Sequence, residues 1–213
     1  LSGVVSFNPT KISIKSKVAD IEGLLEFTKD DPIWGDSWQA SIDAQIKKPK
    51  TIHIAGRFLN GKVNGFKYWF FEIGVPSGLS VPMFAGLNLD GIGGKVFKRM
   101  KYNHVDKSYL PDSMTKYGVG VDLYIIDGTT GGQTARMNIT AEVTVLEDYF
   151  TMEIRGDVGM AFPDNKYETP FTKAVASGNG FLAYSSLDKT LLGQFNAQTN
   201  LSPLLCALQL LAQ

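Results

Sequence analysis

The sequence predicts an all-β fold of antiparallel meanders that form a sandwich or a partly closed barrel, followed by a short C-terminal helix. Two observations predict this class. Apolar and polar residues alternate along most of the chain, and clusters of turn-forming residues separate the alternating runs. The chain has 213 residues, of which 44% are hydrophobic and 11% aromatic, so it can form a packed core and is not expected to be disordered.

The strongest alternation lies in residues 134–145 and 150–162, where every second residue is apolar or glycine. Glu147-Asp148 is predicted to form a tight turn between the two runs. Counting outward from this turn pairs Val145 with Phe150, and every apolar position then meets an apolar residue or glycine. A slip of one residue would turn one apolar set toward water, so this register is strongly specified.

A third run, residues 117–125, precedes a loop at 127–133 that is rich in turn formers. Pairing Ile125 with Ala135 keeps apolar residues opposite apolar ones. Residues 117–162 are therefore predicted to form a three-stranded antiparallel meander with one core face and one polar face.

An earlier meander is predicted from four alternating or apolar runs: residues 38–46, 52–58, 66–73 and 81–89. A glycine-rich turn at 90–94 is expected to lead from it into a strand at 95–102. Additional strands bring the total to about ten: residues 2–8, 10–18 and 180–187.

We predict a single domain over residues 1–213, because neither meander alone has enough strands to close its sheet. The first meander spans about 1–102 and the second about 117–199, and a long polar loop, 103–116, joins them. Residues 201–213 are expected to form a short helix, with Ser202 as its cap and Pro203 at its first position.

Charge and cysteine content exclude several functions. The 21 Lys and Arg residues balance the 21 Asp and Glu residues, so no strong field attracts nucleic acid or anionic lipid. A single cysteine, Cys206, and two histidines, His53 and His104, make catalytic triads and histidine-rich metal sites hard to assemble. No catalytic residue and no organic cofactor are therefore predicted.

The predicted register places Glu142 directly opposite Glu153, with Cβ atoms about 5 Å apart. Two facing carboxylates suggest a divalent-cation site or the acid and nucleophile of a retaining glycosidase. The alternative interpretation is a solvated face on which Arg155 and nearby lysines neutralise both charges.

One row along, Asp122, Asn138 and Asp157 are predicted to line up across three strands. Their oxygen atoms are the ligand type that calcium prefers. The outer two residues lie two strand spacings apart, roughly 10 Å, so a single ion would need side chains that lean inward. Calcium is thus the candidate metal for these three residues together with the glutamate pair.

Aromatic residues supply the candidate ligand-binding residues. In the strand at 66–73, one set of aromatic side chains fills the core and the other is free to stack on sugar rings or a partner. The alternative is a central strand buried on both faces. The loop around Gly35 is flanked by tryptophans that form either a binding site or a plug at the end of the fold. The residues proposed for ligand binding are Tyr68, Phe70, His53, Trp34 and Trp38.

The last stretch, residues 201–213, contains no charged side chain. It is much shorter than the ~20 residues that span a bilayer, so no membrane span is predicted. A helix this apolar needs a partner surface, which is either the core of the same domain or another chain. Self-association or a protein partner at this segment is therefore expected.

Four elements carry a family resemblance: FKYWFF at 66–71, GLSVP at 78–82, LNLDGIGG at 87–94, and Met100. Their order resembles segments of very large, poorly characterised bacterial proteins rich in β structure, over residues 50–160. The resemblance implies that this chain is one part of a longer surface or secreted polypeptide. It brings no catalytic residue with it.

From these observations we expect a non-enzymatic structural or binding module of a larger extracellular or cell-surface assembly. Three alternatives remain open. The first is a carrier that holds an apolar ligand such as a lipid in a groove or barrel. The second is a carbohydrate-binding or carbohydrate-active protein, and the third is a subunit of a shell or capsid.

Overall fold

A computed structural model describes residues 10–48, 51–163 and 170–200. Within them the all-β prediction is confirmed, since fourteen antiparallel strands and one short 3-10 turn make up the regular structure. The predicted strand at 2–8 and the predicted helix at 201–213 lie outside the described residues.

The strands follow the chain at short intervals. Their bounds are β1 (Thr10–Lys15), β2 (Ala19–Asp31), β3 (Gly35–Ile46), β4 (Ile52–Val63), β5 (Phe66–Ser77), β6 (Val81–Pro82), β7 (Leu87–Lys98), β8 (Met100–Asn103), β9 (Ser108–Pro111), β10 (Tyr117–Asp127), β11 (Ala135–Val145), β12 (Phe150–Met160), β13 (Ala176–Ser185) and β14 (Thr190–Thr199).

One large antiparallel sheet contains twelve of these strands, in the order β1-β2-β3-β4-β5-β7-β10-β11-β12-β13-β14, with the short β6 paired to β7. The two predicted meanders are thus halves of one sheet, joined where β7 pairs with β10. In the described part of the chain, β1 and β14 each have one neighbour, so the sheet is open. In the described residues the second layer consists of the hairpin of β8 and β9. β8 overlaps the end of the predicted strand at 95–102, and β9 lies in the predicted loop at 103–116.

The hairpin of β11 and β12 has the predicted register. Val145 pairs with Phe150, and the backbone N–H of Leu146 donates to the carbonyl oxygen of Tyr149 at 2.8 Å across the turn. The alternation was sufficient to predict the register of this hairpin, because a two-residue turn leaves a single way to match the apolar sets of the two strands.

The predicted pairing of Ile125 with Ala135 is wrong by two residues, since Ile125 pairs with Met137. A shift of two preserves which face each side chain occupies, so the apolar pattern cannot distinguish the two registers. The Asp127 carboxylate decides between them. It accepts hydrogen bonds from the backbone N–H groups of Thr130 and Ala135, which closes the loop at a fixed length.

The glycine-rich turn predicted at 90–94 is also wrong, because β7 runs straight through these residues. The glycines instead allow the neighbouring strands to approach each other closely. A Cβ on Gly91 would lie 2.3 Å from the carbonyl oxygen of Val75, and one on Gly74 would lie 2.9 Å from Cα of Gly93. Side chains at these positions would push β5 and β7 apart.

The best-packed core lies under the β8-β9 hairpin. Tyr109 of β9 packs its ring against Phe70 and Phe97, with centroid distances of 4.7 and 5.0 Å. Phe97 also covers Gly118, since a Cβ there would lie only 2.2 Å from the phenyl ring. The buried cluster comprises Leu59, Val63, Tyr68, Phe70, Phe97, Met100 and Tyr109.

Direct cross-strand partners point to the same side of a sheet, so the registers define its two faces. The hairpin covers the face that carries a row of mostly charged residues, Arg57, Glu72, Lys95, Gly120, Glu142 and Glu153. We call this side the charged face.

The opposite side carries two rows that cross all eleven strands of the path from β1 to β14. The first row is Ile12, Gly23, Ile42, Gly56, Ile73, Gly94, Val121, Ala141, Ile154, Leu182 and Gly193. The second is Thr10, Leu25, Ala40, Phe58, Phe71, Val96, Val119, Val143, Met152, Tyr184 and Leu191. Neither row contains a charged residue, and we call this side the apolar face.

Candidate binding surfaces

Among the residues that the structure describes, none covers the apolar face across its width. Its side chains are about half exposed at the centre, with Ile73 at 48% and Ile154 at 54%, and more exposed at the edges, with Ile12 at 59% and Leu191 at 67%. A soluble protein rarely leaves a contiguous apolar surface of this kind uncovered without a binding role.

The size of this surface can be estimated from sheet geometry. Ten strand spacings of about 4.8 Å give a width of about 48 Å, and each row adds roughly 7 Å along the strands. A third apolar row runs beside the first in β7 to β14, with Ile92, Leu123, Ile139, Gly156, Gly180 and Phe195. The whole face then covers roughly 1,000 Å², above the about 300–600 Å² that is typical of the largest patch on a monomer.

The charged face contains the predicted glutamate pair, and its register is confirmed, since Glu142 pairs with Glu153. Arg155 bridges the two carboxylates. Its Nη2 lies 2.9 Å from Oε2 of Glu142 and its Nη1 lies 2.8 Å from Oε1 of Glu153. The Tyr109 hydroxyl donates to Glu142 and accepts from Arg155. Arg155 therefore neutralises the like charges, as the second interpretation of the sequence expected. The face is not solvated there, however, because Glu142 and Arg155 are buried.

The protonation states of this cluster are fixed by burial and by charge. Burial raises the pKa of the Tyr109 phenol, and the Glu142 carboxylate raises it further, so the phenol stays neutral. Burial alone would lower the pKa of Arg155, but the charge of Glu142, the electrostatic interaction with Tyr109 and the hydrogen bonds to the two glutamates together outweigh it, and the pKa is raised. In this cluster the carboxylates of Glu142 and Glu153 and the Tyr109 phenol are all hydrogen-bonded to other side chains.

The calcium prediction receives no support from this geometry. Asp122 pairs with Thr140, not with Asn138, and its carboxylate lies 2.8 Å from Nζ of Lys95. Asp157 does pair with Asn138 but forms an ion pair with Lys107. Among the residues described, no group of three or more His, Cys, Asp or Glu side chains is placed to hold a metal ion.

The predicted ligand-binding aromatics are part of the core. Tyr68 and Phe70 are 0% and 1% exposed, so neither can stack on a ligand. The Tyr68 hydroxyl donates to the carbonyl oxygen of Trp34 at 2.7 Å, and Trp34 packs beside the core cluster, as expected of a plug. The alternation identified two aromatic sets in β5 but could not identify which one the hairpin would cover.

The other two candidates pack in different places. The Nε2 atom of His53 lies 3.1 Å from the amide Nε2 of Gln45 on β3. Trp38 packs against Phe58 with a centroid distance of 4.8 Å, at the border of the apolar face. The structure therefore brings Trp34, Tyr68 and Phe70 together in one core and does not assemble a site from all five residues.

Sequence reasoning missed the hairpin that organises the charged face. The segment 103–116 is polar, and β8 and β9 are four residues each, too short for alternation to be recognised. Tyr109 was the available signal, because an aromatic residue in a polar loop usually has a packing partner.

No protein-family model, curated protein or solved structure matches this chain. In the described residues, no helix has the length and apolar character required to cross a membrane.

Proposed function

We propose that this protein is a non-enzymatic binding module and that its ligand is apolar, with the acyl chains of lipids lying on the apolar face. The observation that carries the proposal is the pair of uncharged rows that extend from β1 to β14. The resemblance to segments of very large bacterial surface proteins supports placing the module within a longer polypeptide outside the cytoplasm.

The composition of the face favours acyl chains over a protein partner. Protein interfaces carry about one hydrogen bond per 100–200 Å² and a polar rim. The two rows offer only Thr10 and Tyr184 as side-chain hydrogen-bonding groups, and both edges are still apolar at Ile12 and Leu191. A hydrocarbon chain needs no hydrogen bonds and no rim.

The energetics are adequate for this role. Removing a methylene from water stabilises by about 0.8 kcal/mol, and a chain lying on an open face loses roughly half of its contact with water. An acyl chain of about 15 methylenes then gains about 6 kcal/mol, and because association itself costs part of this gain, tens of micromolar is the lower limit of the dissociation constant for one chain. Lipids with two chains would bind more tightly.

The test uses two neighbouring leucines on opposite faces as a matched pair. Leu191 lies on the apolar face and Leu192 on the charged face, at 67% and 63% exposure. Binding of cis-parinaric acid, a fluorescent acyl chain, would be titrated with the wild type, Leu191→Lys, Leu192→Lys and the central variant Ile154→Lys. We expect at least tenfold weaker binding for Ile154→Lys, a smaller loss for Leu191→Lys and no change for Leu192→Lys.

Three results would overturn the proposal. The first is the absence of cis-parinaric acid binding by the wild type, and the second is a loss of affinity in Leu192→Lys equal to that in Leu191→Lys. The third is a wild-type dimer at micromolar concentration, detected by size exclusion with light scattering, that Ile154→Lys disperses. That dimer would assign the apolar face to a second copy of the chain, whose sheet would pack face to face.

A further inference from the structure

A second surface lies on the charged face, beyond the edge of the hairpin. Asn138, Asp157, Asn179 and Asn196 are direct cross-strand partners on the four consecutive strands β11 to β14. Asn and Asp are disfavoured in strands. Four such residues in one row weaken the sheet locally, so the row calls for a reason other than strand stability.

The row forms the floor of an open groove. Two adjoining depressions, of about 200 and 320 Å³, share Lys107, Asp157, Asn179 and Asn196. Their lining has further hydrogen-bonding side chains, among them Gln194 and Gln198. The four strands span about 14 Å, which is longer than one sugar ring.

Aromatic rings border the groove at both ends. Phe181 lines the first depression and packs against the His104 ring, with a centroid distance of 4.5 Å. Phe171 lines the second depression. Both phenyl rings are half-buried, so each has a supported position and a free edge or face.

The groove is electrically neutral in the residues described. The Lys107 ammonium lies 3.1 Å from the Asp157 carboxylate, and Arg155 is engaged by Glu142 and Glu153. Phosphate-bearing ligands and nucleic acids require cations that are free to pair with them. The groove is therefore suited to a ligand that is polar and uncharged.

We infer that this groove binds a neutral oligosaccharide. Each amide has both a donor and an acceptor, which matches the hydroxyl groups of a sugar, because these also donate and accept. The Asn196 amide already donates to Oδ1 of Asn179 at 3.3 Å, so the side chains are oriented toward each other across the row. The phenyl rings supply the apolar surface on which the C–H face of a sugar ring stacks. This site differs from the apolar face in position and in ligand chemistry.

The experiment is a calorimetric titration with cellohexaose, maltohexaose, xylohexaose and chitohexaose, each up to millimolar concentration. The test variant is Asn179→Val/Asn196→Val, which replaces two amides with a residue that favours strands. The matched control is Gln39→Val, an exposed amide on the charged face in β3, outside the groove. We expect at least one hexaose to bind the wild type and Gln39→Val equally and to bind the double variant at least tenfold more weakly.

A second variant separates binding from folding. Phe181→Leu keeps an apolar side chain of similar volume but removes the stacking surface, and we expect a five- to tenfold loss of affinity with an unchanged melting temperature. Failure of all four hexaoses to bind the wild type overturns the inference. Unchanged affinity in the double variant overturns it as well.

Discussion

Phe70 and Phe71 are neighbours in β5, yet Phe70 is 1% exposed and Phe71 is 39% exposed. The difference arises because the β8-β9 hairpin covers only the charged face, where Phe70 meets Tyr109 and Phe97. On the charged face, burial and ion pairs combine in one structural core. On the apolar face, no described side chain covers the rows, and their hydrophobic surface remains available to a ligand.

The region under the hairpin therefore serves stability, and the apolar face is left for binding. The hairpin and the Lys95, Glu142 and Arg155 ion pairs hold the strands together from one side. Substitutions under the hairpin should change the free energy of unfolding, and those on the apolar face should change the binding of apolar ligands.

The largest effect is expected for Phe70→Ala compared with Phe71→Ala. Phe70→Ala removes a fully buried ring and leaves a cavity under the hairpin, which costs about 3–5 kcal/mol of unfolding free energy. Phe71→Ala removes a ring that is already partly in water, and we expect a loss of about 1 kcal/mol. Urea denaturation followed by Trp fluorescence measures both. Equal losses would mean that the apolar face is covered in solution.

The next effect is expected for Arg155→Met. This variant leaves the buried Glu142 without its counter-charge and Glu153 with only the His104 imidazole beside it, and we expect a loss of about 3 kcal/mol at pH 7. The control is Lys107→Met, which removes an exposed ion pair with Asp157 on the same face and should cost less than about 0.5 kcal/mol. Denaturation at low and high salt separates the two, because salt weakens only the exposed pair.

A loss below 1 kcal/mol for Arg155→Met would show that the bridging arginine is dispensable. The charged face would then be stabilised by the hairpin and by the Lys95–Asp122 ion pair.

The sequence was sufficient for the fold class and for the β11-β12 hairpin, because a two-residue turn and strict alternation leave one register. It was insufficient where two different structures are consistent with the same pattern of apolar residues. The aromatic strand β5 could bury either side, and only the hairpin from a polar loop decides in favour of Tyr68 and Phe70. Half of the amide row was predicted, since the β11-β12 register places Asn138 opposite Asp157. Asn179 and Asn196 could not be added, because the long segment between β12 and β13 fixes no register and β14 was not predicted as a strand.

The β10-β11 register gives the smallest and most specific prediction. Burial alone would raise the pKa of Asp127, but hydrogen bonds from Thr130, Thr129 and Ala135 outweigh it and lower the pKa. A carboxylate with a lowered folded-state pKa stabilises the fold above its unfolded value of about 3.9, and this contribution is lost as the pH falls through the folded-state pKa. We expect Asp127→Asn to cost about 1–2 kcal/mol at pH 7.

The variant should also be less sensitive to acid, because the group that titrates is gone. Comparing urea denaturation at pH 7 and pH 3, we expect a smaller difference for Asp127→Asn than for the wild type, while Asp148→Asn serves as the control at an exposed turn. An unchanged difference would mean that Asp127 does not close the loop. The two-residue shift between Ile125 and Met137 would then need another cause, since the apolar pattern permits both registers.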